Sequence, residues 1–405
     1  MIFKALTILL SIAAISCVQS DVSDAASSEE TFEPIVIDPA LQRFVSNFEK
    51  KLGESFARHR VPGAAVAIVI DSSITYLKAF GKKSSKGVDS VNLETLFRLA
   101  SVSKGFASIL TGKVLTGNGE WEDPISKYIS DFEVNPGNLA DSISISHILS
   151  HTSGYPYQTY STLIEDGIKR HRLFQELKKI KLSRKPGAIH SYQNVAYSLI
   201  EPVIESITDT TYQYALKSLI FNPLNMKTAS LTYEGIKNSG NLAQPHGLKR
   251  IRYIPIKLSP AYYNVAAAGG INASIIDMSE WLKALLGQRP DVIPEAILED
   301  VFTPQIRTSV KNYHFGNFDR PRKGHYGYGW RIVEYPNDTL IYHGGYANGF
   351  KSELGLDRSK NVAICILSNA PSRFCNEMVV DFFKEYKKYL YETKSLNSPN
   401  YLEEH

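Results

Sequence analysis

Cysteine is scarce in this chain: three residues in 405, alongside four methionines and three tryptophans. One of the three, Cys17, falls in the N-terminal leader, which leaves Cys365 and Cys375. So few thiols exclude a disulfide scaffold, and neither sits in a paired metal-binding spacing. Cys365 lies inside the apolar run Val362-Ala-Ile-Cys-Ile-Leu367 and reads as a free buried thiol. The ten histidines are scattered and form no His-Glu-x-x-His stretch, so the sequence implies no catalytic metal. Charge of one sign is also lacking. Forty-five basic and 41 acidic residues leave a formal charge of +4, which is not the balance of a nucleic-acid binder. Beyond the leader, no segment is apolar enough to span a bilayer.

The leader itself is distinctive. Lys4 precedes the apolar stretch Ala5 to Ile15, which has signal-peptide length and is too short to span a membrane. Residues 1–20 therefore read as an export signal, with two candidate processing sites. Val18-Gln-Ser20 suits a general signal peptidase. Ala14-Ile-Ser-Cys17 resembles a bacterial lipobox, which would make Cys17 a lipid attachment point and a membrane tether. Residues 21–38 are polar and acidic and read as a disordered tether.

A single domain is expected over residues 39–390, followed by a frayed tail at 391–405. Leu41, Phe44, Val45, Phe48, Leu52 and Phe56 mark a helix over Pro39 to His59. Gly63 to Ile70, the turn Asp71-Ser-Ser73 and Ile74 to Phe80 read as a hairpin. Strand patterns return at Tyr328–Val333, Thr339–His343, Lys351–Leu356 and Val362–Leu367, before an amphipathic helix from about Ser372 to Tyr391. Strands at both ends of the domain predict one antiparallel sheet flanked by helices. The sheet lobe would comprise about 39–100 and 310–390, and residues 101–309 would form a mostly helical second lobe, giving an α+β fold. Within that region, the basic run from Ile168 to Lys185 has apolar positions at Leu173, Leu177 and Ile180 and reads as a solvated amphipathic helix face, with contact to anionic headgroups or polymers as the alternative.

Three short stretches carry chemistry. Ser101-Val-Ser-Lys104 is the only Ser-x-x-Lys spacing in the chain. On a helix it puts a hydroxyl and an amine on one face, where a partly neutral amine can take the hydroxyl proton. Tyr192-Gln-Asn194 follows a Pro186-Gly187 turn and leads into an apolar helical pattern. A tyrosine there can shuttle protons, the more readily if a nearby ammonium lowers its pKa, and an Asn can both donate to and accept from a substrate amide. His343-Gly344-Gly345-Tyr346 ends a strand, and its glycines allow a ligand to approach backbone closely.

In this order and spacing, Phe-Arg-x-Ala-Ser-x-x-Lys, Tyr-x-Asn and His-x-Gly resemble the serine β-lactamase and penicillin-binding-protein superfamily. The branch resembled most is that of class C β-lactamases, D-Ala-D-Ala carboxypeptidases, D-aminopeptidases and related esterases. The resemblance spans about residues 40 to 390. It implies a β-lactamase/transpeptidase-like fold and a serine hydrolase with catalytic Ser101, Lys104 and Tyr192. Asn194, His343, Gly345 and Tyr346 would bind substrate, and the N–H groups of Ser101 and Tyr346 would form the oxyanion hole. It implies no cofactor. The partner would be a small molecule or peptide, peptidoglycan included, met in the periplasm or at a membrane. The alternative activity is that of a penicillin-binding protein acylated with little turnover. His343 replaces the lysine frequent in β-lactamases, and Gln193 replaces a small residue. Gln193 would either narrow the pocket or face outward. The stretch His151-Thr-Ser-Gly154 looks structural. No Gly-x-Ser-x-Gly elbow is present, which speaks against an α/β-hydrolase.

Overall fold

Strand β1 (Gly63–Ile70) is Gly-Ala-Ala-Val-Ala-Ile-Val-Ile, apolar at every position and buried throughout. Such a run needs cover on both faces of the sheet, and it has it. The structure is a computed structural model that describes residues 38–310 and 323–396. The leader with Cys17, most of the tether and the end of the tail lie outside the described residues.

The other strands of the sheet are β2 (Ser73–Gly81), β3 (Ile306–Thr308), β4 (Lys323–Tyr326), β5 (Arg331–Glu334), β6 (Thr339–Ala347), β7 (Phe350–Asp357) and β8 (Val362–Ser368). All pairings are antiparallel, in the order β2-β1-β8-β7-β6-β5-β4-β3. β1 pairs with β8, Ala67 opposite Cys365, so the two ends of the domain close one sheet. The mixed α+β character and antiparallel sheet are those expected from the sequence.

Alternation along β1 and β8 sorts the core. Val66, Ile68, Ile364 and Ile366 join one apolar cluster with α1 (Pro39–His59). Phe44, Phe48 and Leu52 of α1 are buried there, four residues apart along one helix face. Phe48 meets Phe382 of the C-terminal helix edge-on at 5.3 Å. Burying each such side chain contributes on the order of 1.5–3 kcal/mol. Ala65, Ala67, Cys365 and Leu367 face the other way, into a cluster with α2 (Ser103–Leu115) and α3 (Ile275–Leu285). Phe106 of α2 stacks on Trp281 of α3 with ring centroids 3.7 Å apart. α3 starts at a capping box in which Ser274 and Asp277 satisfy each other's backbone N–H groups. The C-terminal helix, α4 (Phe374–Leu396), completes the outer layer.

Three features depart from the sequence reading. β3 and β4 extend the sheet beyond the expected strands. The basic run is helical only over Arg170–Leu177. The middle of the chain also carries a two-stranded hairpin, His246–Lys249 paired with Arg252–Pro255.

Candidate active site

The site forms where the start of α2 meets the free edge of β6. Phe97 and Arg98 pair with Ala273 and Asn272, and Leu99 N donates to the Ile271 carbonyl, which fixes the approach to Ser101. Ala100 then takes a left-handed backbone (φ +48°), an uncommon state for a residue with a Cβ. Ser101 follows in a short turn ahead of α2 and lines a cleft of about 900 Å³.

Lys104 is fully buried, and its Nζ lies 3.4 Å from Ser101 Oγ. Nζ donates to Asn194 Oδ1 and to the Ala268 carbonyl, each at 2.8 Å. Burial, reinforced by the Arg331 charge, holds this amine well below the ordinary lysine range. A neutral amine has two N–H bonds and one lone pair. With both N–H groups donated, the lone pair is left for the Ser101 hydroxyl proton.

Tyr192 is held by backbone clamps. Ser191 N donates to the His151 carbonyl (2.8 Å), and Gln193 N donates to His151 Nδ1 (3.2 Å). His151 thus grips the strand-like loop from behind; its ring lies 4.2 Å from that of Tyr192. The Tyr192 hydroxyl is hydrogen-bonded to Ser101. Burial nonetheless pushes Tyr192 up to about 12, so the phenol keeps its proton near neutrality. The expectation of a lowered tyrosine pKa is corrected: burial outweighs the Ser101 hydrogen bond and the Arg331 charge. Gln193 neither narrows the pocket nor faces outward. It is buried, its Oε1 accepts from the N–H groups of Val195 and Ala196, and its Nε2 donates to the Thr159 carbonyl. It caps the short helix Asn194–Tyr197, whose first residue reaches Lys104.

On the opposite wall, β6 pairs with β7 from Ile341 to Ala347 but with β5 only from Thr339 to Tyr342. Past Tyr342 the strand is open on the β5 side, and Gly344, Gly345 and Tyr346 line the cleft there. A Cβ at Gly345 would collide with the Leu99 carbonyl and sit 3.0 Å from Ser101 N, so only glycine lets β6 approach Ser101. The Tyr346 side chain is exposed at the mouth.

His343 does not reach the cleft, contrary to its expected substrate contact. Its Nδ1–H donates to the Gly344 carbonyl (3.0 Å), and its Nε2 accepts from the Tyr326 hydroxyl (3.1 Å). Both ring nitrogens are used, and burial with Arg331 and Lys104 nearby holds the ring well below the usual imidazole range. Arg307, Arg331 and Lys351 line the cleft, and the one stacked near Tyr192 is Arg331, on β5 opposite Tyr342. Its guanidinium lies 5.6 Å from the centroids of both the Tyr192 and Tyr326 rings, and it has no carboxylate partner among the described residues. Sequence reasoning missed it, because no motif surrounds it. Among the described residues no cluster has the makings of a metal site.

The Beta-lactamase family model matches residues 41–377. The chain is 25% identical to the unguisins hydrolase ungD' of Aspergillus campestris, over 80% of this chain and 61% of that protein. It is 24% identical to Protein flp of Staphylococcus aureus (strain N315), over 82% of this chain and 64% of that protein. The matches thus span just over 60% of these relatives' lengths. The octameric penicillin-binding protein homologue from Pyrococcus abyssi superposes with a TM-score of 0.70 at 23% identity, over 81% of this chain and 74% of that one. With its sheet, its helices and most of its length matched, the chain belongs to the Beta-lactamase family and has that family's serine hydrolase fold.

Proposed function

We propose that this protein is an exported serine hydrolase that cleaves an amide or ester bond through an acyl-enzyme on Ser101. The observation that carries the reading is Lys104, whose two N–H groups are donated elsewhere and whose lone pair is left for Ser101. In the acylation step the Ser101 proton moves to Lys104 Nζ as Oγ bonds to the substrate carbonyl carbon. The oxyanion is met by the N–H groups of Ser101 and Tyr346. Tyr192, still protonated at neutral pH, gives its proton to the leaving group as the carbon–heteroatom bond breaks, and the Lys104 ammonium restores it. Water then repeats the sequence on the acyl bond, returning free Ser101 and an acid.

The cleft favours a peptide-like substrate with a carboxylate. Arg331 supplies a fixed charge in the place that His343 leaves uncharged. Tyr157, Ile189 and Tyr346 make an exposed apolar rim at the cleft mouth. D-Ala-ended peptides and β-lactams both combine an acyl group with a nearby carboxylate, and peptidoglycan would be met in the periplasm or at a membrane reached through Cys17.

The test is to incubate the protein with a fluorescent penicillin and follow its mass over time. A transient adduct on Ser101 with released product is expected of a hydrolase, whereas a lasting adduct assigns the penicillin-binding alternative. Cleavage of a short nitrophenyl ester without any adduct assigns an esterase. Labelling and turnover that survive Ser101→Ala would sink the mechanism.

A further inference from the structure

We propose that the hairpin His246–Lys249/Arg252–Pro255, together with the neighbouring loop of residues 82–90, docks on an anionic lipid surface. The two segments form one patch. Ser85 N donates to His246 Nε2 (3.0 Å), Ser85 Oγ donates to the Tyr253 carbonyl (3.1 Å), and Gln244 N donates to the Lys83 carbonyl (2.8 Å). At its surface stand three large aliphatic side chains, Leu248 (60% exposed), Ile251 (72%) and Val88 (86%). The same segments and their flanks carry Lys82, Lys83, Lys86, Lys249, Arg250, Arg252 and Lys257, opposed there by Asp89 alone. The local charge therefore exceeds the +4 of the entire chain, and the rest of the molecule is net acidic.

The contrast with the other basic segment is informative. In the run from residue 168 to 185, Arg170 pairs with Glu201 and Glu205, Arg172 and Lys179 pair with Glu176, and Lys178 pairs with Asp131. The patch cations have no carboxylate partner among the described residues. Exposed aliphatic tips on segments rich in unpaired cations suit a bilayer: the apolar side chains enter between headgroups while the cations meet lipid phosphates. A nucleic acid would match the charge but gives no return for three exposed aliphatics. The patch also abuts the cleft strand. His246 packs on Gly349 in the turn between β6 and β7, and Ser259 N donates to Asn348 Oδ1 of that turn (2.8 Å). Docking would thus present the β6 edge of the cleft near the membrane, whether or not Cys17 is lipidated.

The experiment is flotation of the full chain with vesicles of phosphatidylcholine alone or of equimolar phosphatidylcholine and phosphatidylglycerol. The leader is common to every variant, so only differences between variants report on the patch. The expected result is stronger partitioning to anionic vesicles, suppressed by added salt. The triple variant Lys249→Gln/Arg250→Gln/Arg252→Gln should lose about a hundredfold or more of that preference. Leu248→Ser/Ile251→Ser should weaken binding at every salt concentration. Thermal melting unchanged from the parent chain shows that the variants fold. Equal partitioning to both vesicle types, or variants that bind as the parent does, overturns the proposal. An oligomer that the hairpin variants dissolve, without vesicle preference, assigns the patch to contacts between copies and also overturns it.

Discussion

Glu201 offers a quantitative test of how Lys104 is held. It sits fully buried on the helix Ile200–Thr208, two hydrogen bonds behind Lys104. Its Oε1 accepts from Ala267 N (2.9 Å), and the next carbonyl, that of Ala268, accepts from Lys104. Its Oε2 accepts from Arg170 (3.1 Å), which also binds Glu205. Burial pushes Glu201 from 4.5 up to about 7, against the opposing pull of Ala267 N and Arg170. The folded chain therefore holds this proton more tightly than the unfolded chain. The associated stability is fully present below pH 4.5 and is lost as pH rises through about 7. A gap of this size corresponds to about 3 kcal/mol. Glu201→Gln cannot titrate, yet its amide oxygen can still accept from Ala267 N. Urea unfolding of both chains from pH 4 to pH 8 should show similar stability at the acid end. By pH 8 the Gln variant should be the more stable, by up to about 3 kcal/mol. Parallel pH–stability curves would refute the linkage. Glu201→Ala removes the anchor as well, so it should lower kcat more than KM, and Gln should rescue it. A Glu201→Ala variant with the parent's kcat would show that Ala268 needs no such support.

The remaining predictions concern the cleft. Tyr192→Phe should slow acylation by about 10²–10⁴-fold while leaving the melting temperature nearly unchanged, read by stopped-flow labelling. Arg331→Gln should raise KM for carboxylate-bearing substrates by roughly 10–100-fold, the scale of a lost charged hydrogen bond, and leave a neutral ester unaffected; equal effects on both would remove Arg331 from the carboxylate's binding site. His343→Lys should not improve carboxylate substrates. It breaks the bonds to Tyr326 and Gly344 and buries a further amine beside the Arg331 charge, so a lower melting temperature is expected. Because the reactive Lys104 is the neutral one, kcat/KM should rise with pH through an ionisation well below the ordinary lysine value; a flat acid limb would count against it as the base.

What the sequence disclosed follows from how far each signal reaches along the chain. Ser101 and Lys104 are one turn apart, so a local period suffices to pair them. The hairpin of β1 and β2 and helix α1 are equally local, and the structure ends α1 at His59 as its apolar stripe predicts. β3 and β4 are short and lack a continuous apolar run, and they belong to the sheet only through pairing with β5. Gln193 could not be read correctly from its neighbours, because its role depends on Thr159 across the loop. The same holds, with greater consequence, for the exchange between His343 and Arg331. A motif directs attention to position 343, where the family resemblance sets histidine against lysine. The register of β5 against β6 puts Arg331 opposite Tyr342, one residue from His343, and on the cleft wall. A cation near Ser101 is therefore supplied across strands rather than along one, and a linear motif records only the uncharged residue at position 343.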